Sequence, residues 1–164
     1  MLRIRPFNSE DFKAVSNIYR QGLDTKKATF ETEVPDWESW NKKYIKCCRL
    51  IASYNDQIAG FAVISAVSNR LVYKGVAEVS VYVHNEFWNK GIGTKLLDAL
   101  ISESEANEFW TLQASIFPEN SSSIRMHENC GFRIVGIREK IGKLDGKWYN
   151  NILMERRSKT VGTI

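Results

Sequence analysis

Histidine, cysteine and proline are all scarce in this chain: two, three and three among 164 residues. His84 and His127 lie far apart, and Cys47, Cys48 and Cys130 form no CxxC or Cys/His spacing, so no metal is expected. An odd cysteine count reads as free thiols, and Cys130, just before Gly131, reads as packing rather than as a nucleophile. No apolar run approaches the ~20 residues of a membrane span. The stretch from Met1 to Phe12 lacks the apolar core and small-residue cleavage site of a secretory signal, so a cytoplasmic location is the expectation. Neither sign of charge dominates: the net charge is +4, with Lys and Arg interleaved among Asp and Glu. That balance argues against a nucleic-acid partner and suits an anionic small ligand. There is no repeat or linker, and the length fits one domain over 1–164, with a flexible basic tail from 156.

What is present is a globular balance of 43% hydrophobic and 26% charged residues. Leu2 to Arg5 alternates as a strand stopped by Pro6. Asn8 or Ser9 caps a helix whose apolar face is Phe12, Val15, Ile18, Tyr19 and Leu23. Asp36 caps a second helix carrying Trp37, Trp40, Tyr44 and Ile45. Residues 50–54 and 58–65 form a hairpin around Asn55-Asp56-Gln57. Strands at 76–83 and 111–117 flank a helix from Gly91 to about Ala106, and a short helix from Ser121 to Asn129 ends at Gly131. Phe132 to Arg138 and Trp148 to Glu155 close the chain as strands around Asp145-Gly146. The order βααβββαβαββ sets hairpins on both sides of a βαβ unit, a mixed α/β (α+β) fold rather than a doubly wound one.

The most informative stretch is the handover from Val76–Val83 to the helix after Asn89-Lys90-Gly91-Ile92-Gly93-Thr94. Two glycines at a strand-to-helix junction let backbone approach an anion, and the helix start offers unpaired N–H groups and a positive dipole end. The dinucleotide and P-loop fingerprints are both incomplete here, and a plain turn is the competing reading.

Read with Asn120-Ser121-Ser122-Ser123, His127 and Asn129-Cys130-Gly131-Phe132 downstream, the stretch resembles the GNAT superfamily of acetyl-CoA-dependent N-acetyltransferases. The likeness spans roughly residues 2–155 and is closest to the phosphinothricin N-acetyltransferase-like branch. Thr29 to Glu33, Arg70 to Tyr73, Ala77 to Val83, Arg125 to Glu128 and Asp145 to Trp148 carry that closer match. It implies a mostly antiparallel sheet flanked by helices, acetyl-CoA as cosubstrate and a homodimer. One departure stands out: the family's Arg or Gln three residues before the first loop glycine is Trp88.

The resemblance also assigns roles. Glu78, a carboxylate within an apolar strand, becomes the base that deprotonates the incoming amine. His127 becomes an acid for the leaving thiolate or a base, and its competing reading is a helix histidine bonded to backbone. Val81 and Val83 offer backbone groups to the pantetheine arm. Asn89, Lys90, Gly91, Ile92, Gly93 and Thr94 hold the pyrophosphate, while Asn120 and Ser123 bind the pantetheine; for Asn120 a helix cap is the alternative. Phe30, Glu31, Arg70 and Tyr73 line the acceptor side, with Arg70 forking onto an acceptor anion. The expected function is transfer of acetyl to a small amino acid-like amine. A peptide or protein amine and a CoA-binding module without turnover are the alternatives.

Overall fold

In the computed structural model, which describes residues 1–164, the central strands are continuous apolar runs because helices cover both sheet faces. The seven strands are β1 (Leu2–Pro6), β2 (Leu50–Tyr54), β3 (Gln57–Ala66), β4 (Val76–Val83), β5 (Thr111–Ile116), β6 (Arg133–Leu144) and β7 (Lys147–Arg157). They stand in the order β1-β2-β3-β4-β5-β7-β6, and every neighbouring pair is antiparallel except β4 and β5. Helices α1 (Phe12–Asp24) and α2 (Trp37–Lys43) cover one face, while α3 (Ile92–Ala106) and α4 (Ser121–Asn129) cover the other. Element order and sheet class match the expectation.

Period-2 alternation separates two cores. Ala77 and Val79 of β4 pack under α3 with Leu96, Leu97, Leu100 and Met154. Tyr82 faces the other way and packs with Phe61, Val63, Ile18 and Tyr19 under α1. Glu78 and Ser80 share that second face by the same alternation.

The parallel β4–β5 pairing is only three rungs long: Val76 to Thr111, Ala77 to Leu112 and Glu78 to Gln113. Its base is fixed by Gly75, whose carbonyl accepts from the N–H groups of Trp110 (2.8 Å) and Thr111 (3.1 Å). Beyond Glu78 the strands part. The His84 N–H donates to the Ala59 carbonyl. By the alternation of an antiparallel ladder, the backbone groups of Val79, Val81 and Val83 therefore face the gap.

Three expectations need correction. Tyr44 and Ile45 lie beyond α2, with Tyr44 bridged to Ser65. β6 runs to Leu144 instead of Arg138, because its polar second half pairs with β7 across bulges and the Lys140 N–H donates to Asn150 Oδ1. The start of the tail is anchored: Ser158 is buried, its hydroxyl donates to Glu105 (2.9 Å), and Arg156 pairs with the same carboxylate (3.0 Å).

A Cβ at Gly75 would lie 2.1 Å from the Trp110 ring. Gly75→Ala should therefore destabilise the chain by about 1–3 kcal/mol, read by chemical denaturation; unchanged stability would show that the β4–β5 base tolerates repacking.

Candidate active site

Two cavities meet in the gap between β4 and β5. The first, about 330 Å³, lies on the α1/α2 side and is lined by Glu78, Ser80, Ser115, Asn151, His127 and residues 27–31. The second, about 620 Å³, lies along the start of α3 and is lined by Val83, Asn89, Gly91, Ile92, Gly93, Thr94 and Met126. Val81, Tyr82, Asn120 and Ser123 border both, so the two form one cleft through the sheet. Both volumes fall in the range of small-molecule sites.

The larger cavity has the chemistry of a phosphate cradle. Gly91 is the residue before α3 and adopts φ +74°, and Asn89 adopts φ +61°. No side chain caps α3, and none of the N–H groups from Asn89 to Thr94 has a partner within the chain. A Cβ at Gly91 would meet nothing within 4 Å, so its glycine serves the left-handed backbone and leaves the anion's approach open. Gly93 serves packing: a Cβ there would lie 2.7 Å from Met126 Sδ, so its absence lets α4 close against α3. The unpaired backbone of Val81 and the gap beside it suit an extended arm carrying amides.

Some predicted residues are placed differently. The Lys90 ammonium sits over the Phe87 and Tyr54 rings at 5.1 and 5.5 Å and does not line the cradle. The Val83 carbonyl already accepts from the Trp88 indole N–H at 2.8 Å, so the departure at position 88 removes one acceptor from the gap. Arg70 and Tyr73 stand on an exposed turn, stacked on each other at 5.3 Å, and neither lines the cleft. Their loop precedes β4 but leads away from the gap.

Asn120 is a helix cap that also borders both cavities. Its Oδ1 caps α4 by accepting from the Ser123 N–H (3.4 Å) and the Ser122 hydroxyl (3.3 Å), and its Nδ2 donates to the Lys27 carbonyl (3.4 Å). The last bond ties α4 to the loop that roofs the smaller cavity. Phe30 and Glu31 of that loop do line the cavity. Phe30 meets Phe117 edge-on at 4.6 Å, and Gly142 makes room for its ring.

Glu78 is half-buried at the last β4–β5 rung, and Ser115 donates to its Oε1 at 2.8 Å across the opening gap. His127 is 5% exposed and borders the same cavity. Its Nδ1 lies 2.7 Å from the Ser123 carbonyl, which assigns the proton to Nδ1 and leaves Nε2 as the acceptor. Burial lowers its pKa from the ordinary 6.5, opposed by the Ser123 bond, so the ring is neutral at pH 7. A neutral ring with its N–H committed to backbone can take a proton; it has no free N–H to give. Tyr44 is pushed up to about 12 by burial and stays a neutral phenol.

Lys27, Lys43, Tyr19, Tyr44, Ser80, Ser115 and Asn151 also line the smaller cavity and were not singled out in the sequence. Tyr19 and Tyr44 read there as apolar helix positions. No sequence signal marks Lys43 or Asn151.

Residues 4–153 match the family described as Acetyltransferase (GNAT) domain, and the chain belongs to that family. It is similar to the phosphinothricin N-acetyltransferase of Alcaligenes faecalis, with 28% identity over 159 residues, 93% of this chain and 81% of the relative. It is also similar to the L-methionine sulfoximine/L-methionine sulfone acetyltransferase of Salmonella typhimurium, with 26% identity covering 94% of this chain and 93% of the relative. Among solved structures, the phosphinothricin acetyltransferase of Sinorhizobium meliloti in complex with AcCoA has TM-score 0.86 and 26% identity, covering 99% of this chain and 95% of that one. The protein is thus an N-acetyltransferase, and acetyl-CoA is its cosubstrate.

Gly91→Val should weaken acetyl-CoA binding at least about tenfold by calorimetry, since a β-branched residue resists φ +74° and its side chain would enter the cradle. Unchanged affinity would place the phosphates elsewhere. The lowered pKa of His127 also predicts a pH dependence. Its contribution to stability is complete above the ordinary 6.5 and is lost as pH falls through the folded value. Asp11 and Glu105, held down by Arg5 and Arg156, act only below their ordinary 3.8 and 4.5. The melting temperature should therefore fall between pH 7 and 5, and His127→Gln should flatten that fall; an identical slope in the variant would assign it to another group.

Proposed function

We propose that this acetyltransferase acts on the primary amine of a small amino acid-like acceptor, of the kind represented by phosphinothricin and methionine sulfoximine or sulfone. The observation that carries this reading is the smaller cavity, which joins the cofactor cleft at the β4–β5 gap and holds carboxylates and cations together. Glu78 and Glu31 suit an ammonium, and Lys27 and Lys43 suit a carboxylate or phosphinate. In a single chain these lysines take the place that the resemblance gave to Arg70. The names and the lengthwise similarity of the two relatives support the same acceptor class.

The reaction needs no acyl-enzyme. Once both substrates are held, the amine nitrogen bonds to the thioester carbonyl carbon, the C–S bond breaks, and the sulfur leaves as thiolate. Glu78, directly or through water, takes the amine proton, and Ser115 orients its carboxylate. His127 Nε2 is the second acceptor in the cleft.

We also propose a homodimer in the cytoplasm. Edge strand β6 exposes Ile134, Val135, Ile137 and Ile141 beside Trp148, an apolar surface that suits a second copy. No helix is long and apolar enough to cross a membrane.

Release of CoA thiol with acetyl-CoA and a panel of free amino acids, phosphinothricin and methionine sulfone tests the acceptor class. Acceptor-dependent release is the expected result; release with peptide N-termini alone would contradict it. Glu78→Gln should lower kcat about 100-fold or more with acetyl-CoA affinity intact, and the deficit should shrink as rising pH supplies free amine. Normal turnover in that variant at pH 7 would remove Glu78 from the mechanism.

A further inference from the structure

Among the large apolar side chains that the fold leaves exposed, only Trp88 lines the cofactor cavity. The others lie at the chain ends, on the loop between β3 and β4, or on the β6–β7 hairpin. Trp88 is 49% exposed, and a hydrogen bond fixes how its ring stands: the indole N–H donates to the Val83 carbonyl at 2.8 Å. An indole held in one orientation and left half open beside a cavity is an apolar contact surface without a partner in the chain.

The same bond says what this side chain cannot do. An Arg or Gln at this place can donate to a phosphate. The indole has one donor, and Val83 already takes it. Trp88 therefore gives the cradle no hydrogen bond, and what it leaves free is aromatic ring surface.

The layout of the cleft says which part of acetyl-CoA meets that surface. The amide-bearing arm enters the gap beside Val81, and the pyrophosphate takes the bare N–H groups that begin at Asn89. Trp88 immediately precedes Asn89. The adenosine continues from the pyrophosphate away from the thioester, so it stays outside the gap. It also carries the one aromatic ring of the ligand. A half-open indole beside the cradle and an aromatic base beside the pyrophosphate are matched in place and in chemistry, because a nucleobase stacks on an aromatic side chain without any hydrogen bond.

We infer that the Trp88 indole stacks against the adenine of acetyl-CoA, an aromatic contact to the base where an Arg or Gln would make a polar contact to phosphate. Trp88 is then a cofactor-selecting residue, favouring acetyl-CoA over acetyl donors that carry the same arm without the nucleoside.

The test is calorimetric affinity of the wild type, Trp88→Phe and Trp88→Ala for acetyl-CoA and for S-acetyl phosphopantetheine, which lacks the adenosine. Folding is checked by thermal unfolding. Trp88→Ala should bind acetyl-CoA about tenfold more weakly and Trp88→Phe within about threefold of the wild type, while all three proteins bind the phosphopantetheine ester equally. Acetyl-CoA should also quench tryptophan emission in the wild type and not in Trp88→Phe, and that comparison carries the test if the alanine variant does not fold. Equal losses for both ligands in Trp88→Ala would show that the indole acts through Val83 on the arm and cradle, and would overturn the stacking role. Unchanged acetyl-CoA affinity in Trp88→Ala, or the same quenching in Trp88→Phe, would overturn it as well.

Discussion

Everything in this molecule depends on a parallel strand pair that is abandoned after three rungs. Gly75 and Trp110 clamp the base of β4 and β5, Glu78 faces Gln113 at the last rung, and then the strands diverge. Inside a sheet, unpaired backbone groups carry a penalty unless something hydrogen-bonds them. Here the open edge of Val79 to Val83 and the bare N–H groups from Asn89 to Thr94 lie along one path. A ligand with amides at one end and phosphates at the other answers both needs. The gap also joins the cavities on the sheet's two faces.

The polar groups around the passage divide by environment. Glu78 stands half-buried at the mouth of the gap with one neutral donor, Ser115. His127 is enclosed, edge-on to Phe132 at 5.1 Å, with its one proton committed to the Ser123 carbonyl. The smaller cavity brings the Glu78 carboxylate and the His127 ring together with Lys27 of the α1–α2 loop and Lys43 of α2. The α1–α2 loop is held by the Asn120–Lys27 bond, by Phe30 packed against Phe117 over Gly142, and by the exposed Lys26–Asp145 ion pair.

Local signals in the sequence were enough for the element order, the glycine junction, the Asp36 and Asn120 caps and the Asp145-Gly146 turn, each of which depends on neighbours within a few residues. Residues whose role depends on orientation were harder to read. Lys90 adjoins the cradle in sequence but leans onto Phe87, and Arg70 adjoins β4 but stacks on Tyr73. The length of β6 was hidden because its outer half is an exposed edge without apolar alternation. Asn151 was illegible for a different reason. Nothing about an asparagine in a strand shows that its oxygen is buried and unpaired until β5 and β7 are in register.

The most direct test of this account is a crystal structure of the protein with CoA and its best amino-acid acceptor. Pyrophosphate oxygens should sit on the N–H groups of Asn89 to Thr94, pantetheine should run along Val81 in the β4–β5 gap, and the acceptor amine should lie on the Glu78 side of the thiol. Phosphates bound away from Gly91, or an acceptor seated outside the cavity of Glu78 and Asn151, would contradict it.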